Sequence, residues 1–252
     1  LTHRATIGFL SSGLLGGIGC LQAKESVYTC DGCVNAPEAL AADDGRPSGI
    51  YKGVFVCGEI SGNIRIEIAT DHSSGSMGIR AGGVDYAADQ DFGVVDAGDG
   101  ITEFQFEGTD FVALLWLESD GDVRIFELDF AGCASSASLE KETSTELVRL
   151  FEGVWYESSD PDFEGWWNLW IRADRSGGVY NGADASALCG ELEGEQLRLE
   201  RYYSDTYDAT CADYTPSAET PLATGTVIDD MSSGTWGPIF DYQGAWHGFR
   251  TY

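Results

Sequence analysis

Two histidines lie beyond the opening residues of the chain, His72 in "ATDHSSGS" and His247 in "GAWHGFRTY", and either could act as a general base. Neither has a nucleophile marked beside it. No G-x-S-x-G is present, and acyl-transfer chemistry needs a base within reach of its serine or cysteine. His72 therefore reads as a solvated turn residue and His247 as the outward member of a terminal strand. Carboxylates are the other candidates. Asp160, Asp162 and Glu164 in "SSDPDFEG" could flank a glycosidic bond, but such pairs work only at defined separations. Among 42 acidic residues some pair always looks suggestive. The stretches "DAGDG" (Asp96 to Gly100) and "SDGDVRIFE" (Ser119 to Glu127) have the oxygen-rich look of calcium loops without the full spacing of D-x-[DN]-x-[DN]-G-x5-E. Asp-Gly turns also reverse strands on conformational grounds alone. The reading is no catalytic residue and no cofactor, with calcium as the alternative.

The aromatic residues carry a stronger signal. Six of the seven tryptophans fall in the second half, at Trp155, Trp166, Trp167, Trp170, Trp236 and Trp246. A tryptophan buries a large apolar body yet needs a partner for its N–H, which favours half-wet positions such as pocket mouths. In "GWWNLW" a strand puts Trp166 and Trp170 on one face and Trp167 on the other. Trp155, Trp166, Trp170, Tyr180, Trp236 and Trp246 are the candidate ligand contacts, either as a stacking platform for sugar or as the lining of a pocket. The competing account is a tryptophan-heavy core with an outer girdle.

The elements that must position these residues are strands. "GIYKGVFVC", "NIRIEIAT", "ITEFQFE", "FVALLWLES" and "DVRIFELDF" are short, rich in β-branched and aromatic residues, and punctuated by Gly, Asp and Ser. In "NIRIEIAT" the three isoleucines at 64, 66 and 68 share a face opposite Arg65 and Glu67, the pattern of a half-buried antiparallel strand. The stretch "ASSASLEKETST" (Ala134 to Thr145) breaks the pattern and reads as an interdomain linker, with room for a short helix over Ser144 to Leu150. After it the order restarts. "YKGVFV" (Tyr51 to Val56) aligns with "FEGVWY" (Phe151 to Tyr156), and in each half an Asn, Asn63 or Asn168, then opens an alternating strand. An internal duplication follows. The second half offers eight or nine strands at even spacing, which suggests a meander closed as a barrel or folded as a sandwich. The expected fold is all-β, with two tandem antiparallel domains.

Composition narrows the partners. The chain has 252 residues, 43% hydrophobic, so it can build cores. Against 42 acidic residues stand 14 basic ones, a formal charge of −28. Such a surface repels phosphate, which argues against nucleic acid as a partner.

His3 and Arg4, an apolar run from Ala5 to Ile18, and Gly17-Ile18-Gly19-Cys20 read as a signal peptide with its cleavage zone. This segment resembles a bacterial lipoprotein signal, in which the residue after the cut is a cysteine that receives lipid. Ile18 and Gly19 match the last positions of that motif, while Gly17 stands where leucine is usual. The resemblance implies a lipidated Cys20, a lipid bilayer as partner and a cell-envelope address. With Leu21 following, that address is the outer membrane in a Gram-negative cell. Ordinary secretion, with a cut after Ala23, is the alternative. Removing Cys20 from seven cysteines leaves an even six, Cys30, Cys33, Cys57, Cys133, Cys189 and Cys211, as an oxidising compartment favours. Cys30-Asp-Gly-Cys33 lies in a polar leader and reads as a structural disulfide. The domain split pairs Cys189 with Cys211 and lets Cys57 and Cys133 close the first domain. In a plain meander Cys189 and Cys211 would lie too far apart unless one sits on a loop.

The opening of the second half, Gly153-Val154-Trp155 and later Gly178-Val179-Tyr180, resembles avidin-like and lipocalin-like barrels; the resemblance implies a shape and no ligand. The expected organisation is a signal peptide over 1–19, a lipidated cysteine and tether over 20–48, β domains over 49–133 and 149–252, and a linker over 134–148. The expected role is non-enzymatic binding of a small or glycan ligand at the envelope. A structural or adhesive envelope protein, or a secreted hydrolase, are the alternatives.

Overall fold

The computed structural model describes residues 29–30, 32–88, 94–98, 101–118, 123–158, 164–173, 175–180, 186–202, 211, 221–239 and 242–252; of 94–97, 136, 164, 179–180, 186–187, 201–202, 238–239 and 242 it describes the backbone alone. Every regular element among them is a strand.

In the first unit, β1 (Gly49–Cys57), β2 (Ile60–Ile68), β3 (Gly75–Ala81) and β4 (Val84–Ala87) succeed one another in an antiparallel sheet, and β10 (Ser136–Lys141) pairs with the other edge of β1. A second sheet holds β5 (Val94–Gly98), β6 (Ile101–Glu107), β7 (Phe111–Leu117), β8 (Val123–Phe130) and β9 (Cys133–Ala134) in sequence order. Their inward faces share one core: Phe55, Ile64, Ile66 and Ile79 from the first sheet meet Phe104, Phe106, Leu115 and Leu128 from the second. The Cys57–Cys133 disulfide, with Cα atoms 6.1 Å apart, ties the end of β1 to β9.

The second unit is a closed, eight-stranded, antiparallel up-and-down barrel. Its strands are β11 (Val148–Glu157), β12 (Glu164–Arg172), β13 (Arg175–Tyr180), β14 (Ser186–Glu193), β15 (Gln196–Tyr202), β16 (Ala223–Ile228), β17 (Met231–Ile239) and β18 (Tyr242–Arg250), and β18 pairs back onto β11. Closure leaves no strand edge open. Alternation sorts the side chains. Phe151, Trp167, Leu169, Ile171, Leu188, Leu197, Leu199 and Trp246 fill the interior. The two ends differ. Tight reversals join β12 to β13, β14 to β15 and β16 to β17 at one end, while the strand ends flanking the longer connections 158–163, 181–185 and 203–222 lie at the other. Cys211 lies in the last of these, outside any strand, so it reaches Cys189 on β14 (Cα separation 5.5 Å) within a plain meander.

Both units follow one plan, in which the first strand pairs with the second on one side and with the last on the other. They pack through equivalent strands. Val54 and Val56 on β1 meet Val148, Leu150 and Trp170 on β11 and β12, with Cys189 and Cys211 beside them. Both faces of β1 are thereby buried. Asn63 donates to the Thr251 hydroxyl (2.8 Å) and Asn168 to the Ser61 hydroxyl (2.8 Å), so the asparagine of each half reaches across to the other unit.

Two expectations are corrected. Residues 134–148, read as a linker, contain β10, a full member of the first sheet. Its polar residues look like linker because the second unit supplies their partners: Glu140 meets Arg172 (3.2 Å) and Arg175 (3.7 Å). In place of a helix over Ser144 to Leu150 there is a turn bridged between Thr143 and Glu146, followed by β11. Residues 34–48, read as tether, are held against the body. Glu38 and Ala39 donate backbone N–H groups to buried Glu142, and Ser48 donates to Asp43. Arg250, inside the tight-turn end of the barrel, binds Asn35 (2.9 Å) and the Val34 carbonyl, while the Cys30 N–H donates to Asp230 (3.0 Å). The Cys30–Cys33 loop thus straps across that end.

Candidate functional site

Tryptophans that the sequence groups together go to four different environments. Trp167 and Trp246 are inside the barrel, edge to face at 5.0 Å between ring centroids. They lie flat on glycine backbone. A Cβ at Gly225 would come 2.4 Å from Trp246, and one at Gly248 would come 2.5 Å from Trp167. Glycine on these strands makes room for the rings, and the rings cover backbone that would otherwise lack packing. Trp155 and Trp236, half-buried toward the long-loop end, meet edge to face at 5.8 Å, and the Trp236 N–H donates to the Tyr156 carbonyl (3.2 Å).

Trp170, a candidate ligand contact, is fully buried between the units, where it lies over Gly177 and presents no face to a ligand. The backbone of Tyr180 pairs with Trp167; its side chain lies outside the described residues. So do Cys20, His3, Asp160, Asp162, the Glu164 side chain, Ser119 to Asp122, and the side chains of Asp96 to Asp99. His72 occupies a turn with φ of 57°. Among the described residues no cluster of three His, Cys, Asp or Glu side chains is arranged to hold a metal.

The barrel's outer wall supplies what its interior does not. The first unit covers this wall as far as Glu152 and Asn168, both buried. The next rung runs Trp166–Val154–His247 across β12, β11 and β18. Trp166 is 36% exposed. Tyr156, two residues along β11, and Phe249, two along β18, extend the strip, each 37% exposed. His247 sits between them, with ring centroids 6.4 Å from Tyr156 and 6.1 Å from Phe249. Alongside, Ser233 and Thr235 on β17 stand opposite His247 and Ala245, which places hydroxyl groups beside the rings. Four aromatic side chains on three adjacent strands offer ring faces and edges to solvent, with hydrogen-bonding groups at the margin. Such a surface can stack the C–H faces of a sugar and bind its hydroxyls. Of its members the sequence nominates Trp166 alone. Tyr156, His247 and Phe249 join it through a strand register that spans ninety-odd residues of chain.

A contrast between two interior tryptophans tests the packing. The Trp167 N–H donates to the carbonyls of Val154 (3.1 Å) and His247 (3.2 Å), whereas the buried Trp246 N–H has no partner among the described residues. Trp167→Phe is therefore expected to cost about 1–3 kcal/mol and Trp246→Phe clearly less, because no hydrogen bond is lost there. Urea unfolding of the two variants reads the difference.

Compared with protein-family models, curated proteins and solved structures, the chain matches none of them.

Proposed function

We propose that this chain is a cell-envelope lipoprotein whose β units form a non-enzymatic glycan-binding module, with the outer strip of the barrel as its contact surface. The observation that carries this reading is the rung Trp166–Val154–His247 flanked by Tyr156 and Phe249, an exposed aromatic surface on a rigid wall. Rigid elements hold such contacts more accurately than loops do. The interior is the weaker candidate, since Trp167 and Trp246 occupy it together with Phe151, Leu169 and Leu199. A glycan is favoured over an anionic ligand by the net charge of −28.

Lipidation of Cys20 is supported by the cysteine count. Three disulfides use six of the seven cysteines and leave Cys20 without a partner in the chain. A strap that begins at Cys30 on the tight-turn end would then turn the long-loop end away from the membrane.

Titration with hexasaccharides of N-acetylglucosamine, glucose and xylose tests the binding role. At least one is expected to bind, and Trp166→Ala with Tyr156→Ala is expected to weaken it about tenfold or more, as loss of a stacking ring does. Trp246→Phe should leave affinity unchanged. Binding that survives the strip variants would move the site elsewhere. No binding to any saccharide would favour a structural envelope role.

A further inference from the structure

The first unit carries a second exposed apolar surface, on the outer face of the sheet β5–β9. Along β7 the outward residues are Val112, Leu114 and Trp116, an apolar stripe, with Val112 47% exposed. On one side β6 sets Glu103 opposite Trp116, Gln105 opposite Leu114 and Glu107 opposite Val112. On the other, β8 sets Arg124 opposite Trp116 and Asp129 opposite Val112. A register break between Leu114 and Leu115 puts two successive β8 residues, Phe126 and Glu127, outward together. Phe126 is 52% exposed and stacks on Trp116 at 3.7 Å with the rings 4° from parallel.

This stack is built and held. The Trp116 N–H donates to Glu103 (2.9 Å), and the Arg124 guanidinium lies 5.4 Å from the Trp116 ring while pairing with Glu118 (2.8 Å). The ring already accepts a guanidinium, and Phe126 extends the aromatic surface toward Glu127. Hydrogen bonds from Gln105 and then Trp116 lower the Glu103 pKa, so that carboxylate stays ionised. An apolar stripe of this kind on a soluble surface marks a contact site.

We infer that this face docks a basic, extended protein segment, whose apolar side chains lie on the β7 stripe and whose arginines or lysines meet Phe126 and the flanking carboxylates of Glu103, Glu107 and Glu127. Charge selects the occupant. A second copy would bring a formal −28 against −28, and an anionic bilayer would meet the same repulsion. A cation over an aromatic face beside carboxylates is attracted by both. Arg124 is the one cation described on this face, and it is engaged by Glu118.

The test uses the full chain with its disulfides intact and a fluorescently labelled decapeptide of alternating arginine and leucine, in about 0.15 M NaCl to screen diffuse attraction. Control peptides replace arginine by serine or by glutamate. The arginine peptide is expected to bind, and Val112→Ser with Phe126→Ser to weaken it about tenfold, as does Glu103→Gln with Glu127→Gln. Val84→Ser, an exposed apolar position on β4, and Trp166→Ala should change nothing. Unchanged near-ultraviolet circular dichroism confirms that the variants fold. The inference is overturned if the Val112/Phe126 variant binds like the parent, which would mean diffuse charge attraction. It is equally overturned if the serine peptide binds as tightly, or if a neutral oligosaccharide binds the parent and is lost on Phe126→Ser.

Discussion

Glu142→Gln is expected to destabilise the fold by about 3–5 kcal/mol, the range for breaking a buried ion pair from one side. Glu142 and Lys52 are both fully buried, with the ammonium 2.7 Å from the carboxylate. One Glu142 oxygen accepts from the backbone of Glu38 and Ala39, and the other accepts from Lys52 and the Val148 N–H. Glutamine keeps one acceptor and turns the other into a donor. That donor faces either Lys52 or backbone N–H groups, so at least one buried donor loses its partner. The carboxylate joins three pieces at once: the docked segment at 38–39, β1 through Lys52, and the first residue of β11. Glu38, 3.4 Å from Lys52 but partly exposed, offsets part of the loss. Urea denaturation followed by far-ultraviolet circular dichroism reads the change as a lower midpoint. Lys52→Met combined with Glu142→Leu should recover most of it, because no charge is then left buried alone. A loss below about 1 kcal/mol for Glu142→Gln would show that Glu38 neutralises Lys52 unaided.

The same buried pair shows where the sequence is readable and where it is not. A strand with one wet face is written plainly: the isoleucines of β2 put Ile64, Ile66 and Ile68 inside, where they are found. In β12 the alternation separates Trp167 from Trp166 and Trp170 but does not tell which face is the interior, because Asn168 and Trp170 on the outer side are buried as well. β10 is hidden because both of its faces are covered. Ala137 and Leu139 pack on the first core, while Ser138 and Glu140 are buried on the other side, and Glu140 and its neighbour Glu142 find their cations on other strands. Burial raises the Glu140 pKa despite Arg175 and Arg172. In "FVALLWLES" an unbroken apolar run gives no face to read. The outward position of Val112, Leu114 and Trp116 emerges only when β6 and β8 are in place. The outer strip of the barrel is legible only in Trp166, because its assembly depends on strand register. Trp166 and His247 meet through β11, and one-dimensional spacing does not encode that register.

The repeated Gly-Val of the two halves, in contrast, acquires a physical reason, and it carries the second large prediction. Gly153→Ala is expected to cost about 3 kcal/mol or more, at or above the usual range for overpacking. A Cβ at Gly153 would lie 2.1 Å from the His247 carbonyl oxygen and 2.6 Å from the Gly248 Cα, both backbone atoms of β18. At Gly53 the same atom would lie 1.9 Å from the Ser138 carbonyl oxygen on β10. In each unit the glycine sits on the first strand where the last strand closes against it. The obstacle is close backbone approach, since neither residue has a left-handed conformation. Side chains can turn away from an added methyl group; paired backbone cannot, so the seam must part. Gly78→Ala is the control. Its nearest neighbours would be 3.7 Å away, so it is expected to be neutral or stabilising by up to about 1 kcal/mol. If Gly153→Ala proves as mild as Gly78→Ala in urea, the seam yields and closure of the barrel is softer than its backbone contacts imply. If the large loss is found, saccharide binding should weaken with it, because Gly153 holds β11 against the strand that carries His247 and Phe249. Trp166→Ala should separate the two effects by weakening binding while the unfolding midpoint stays in place.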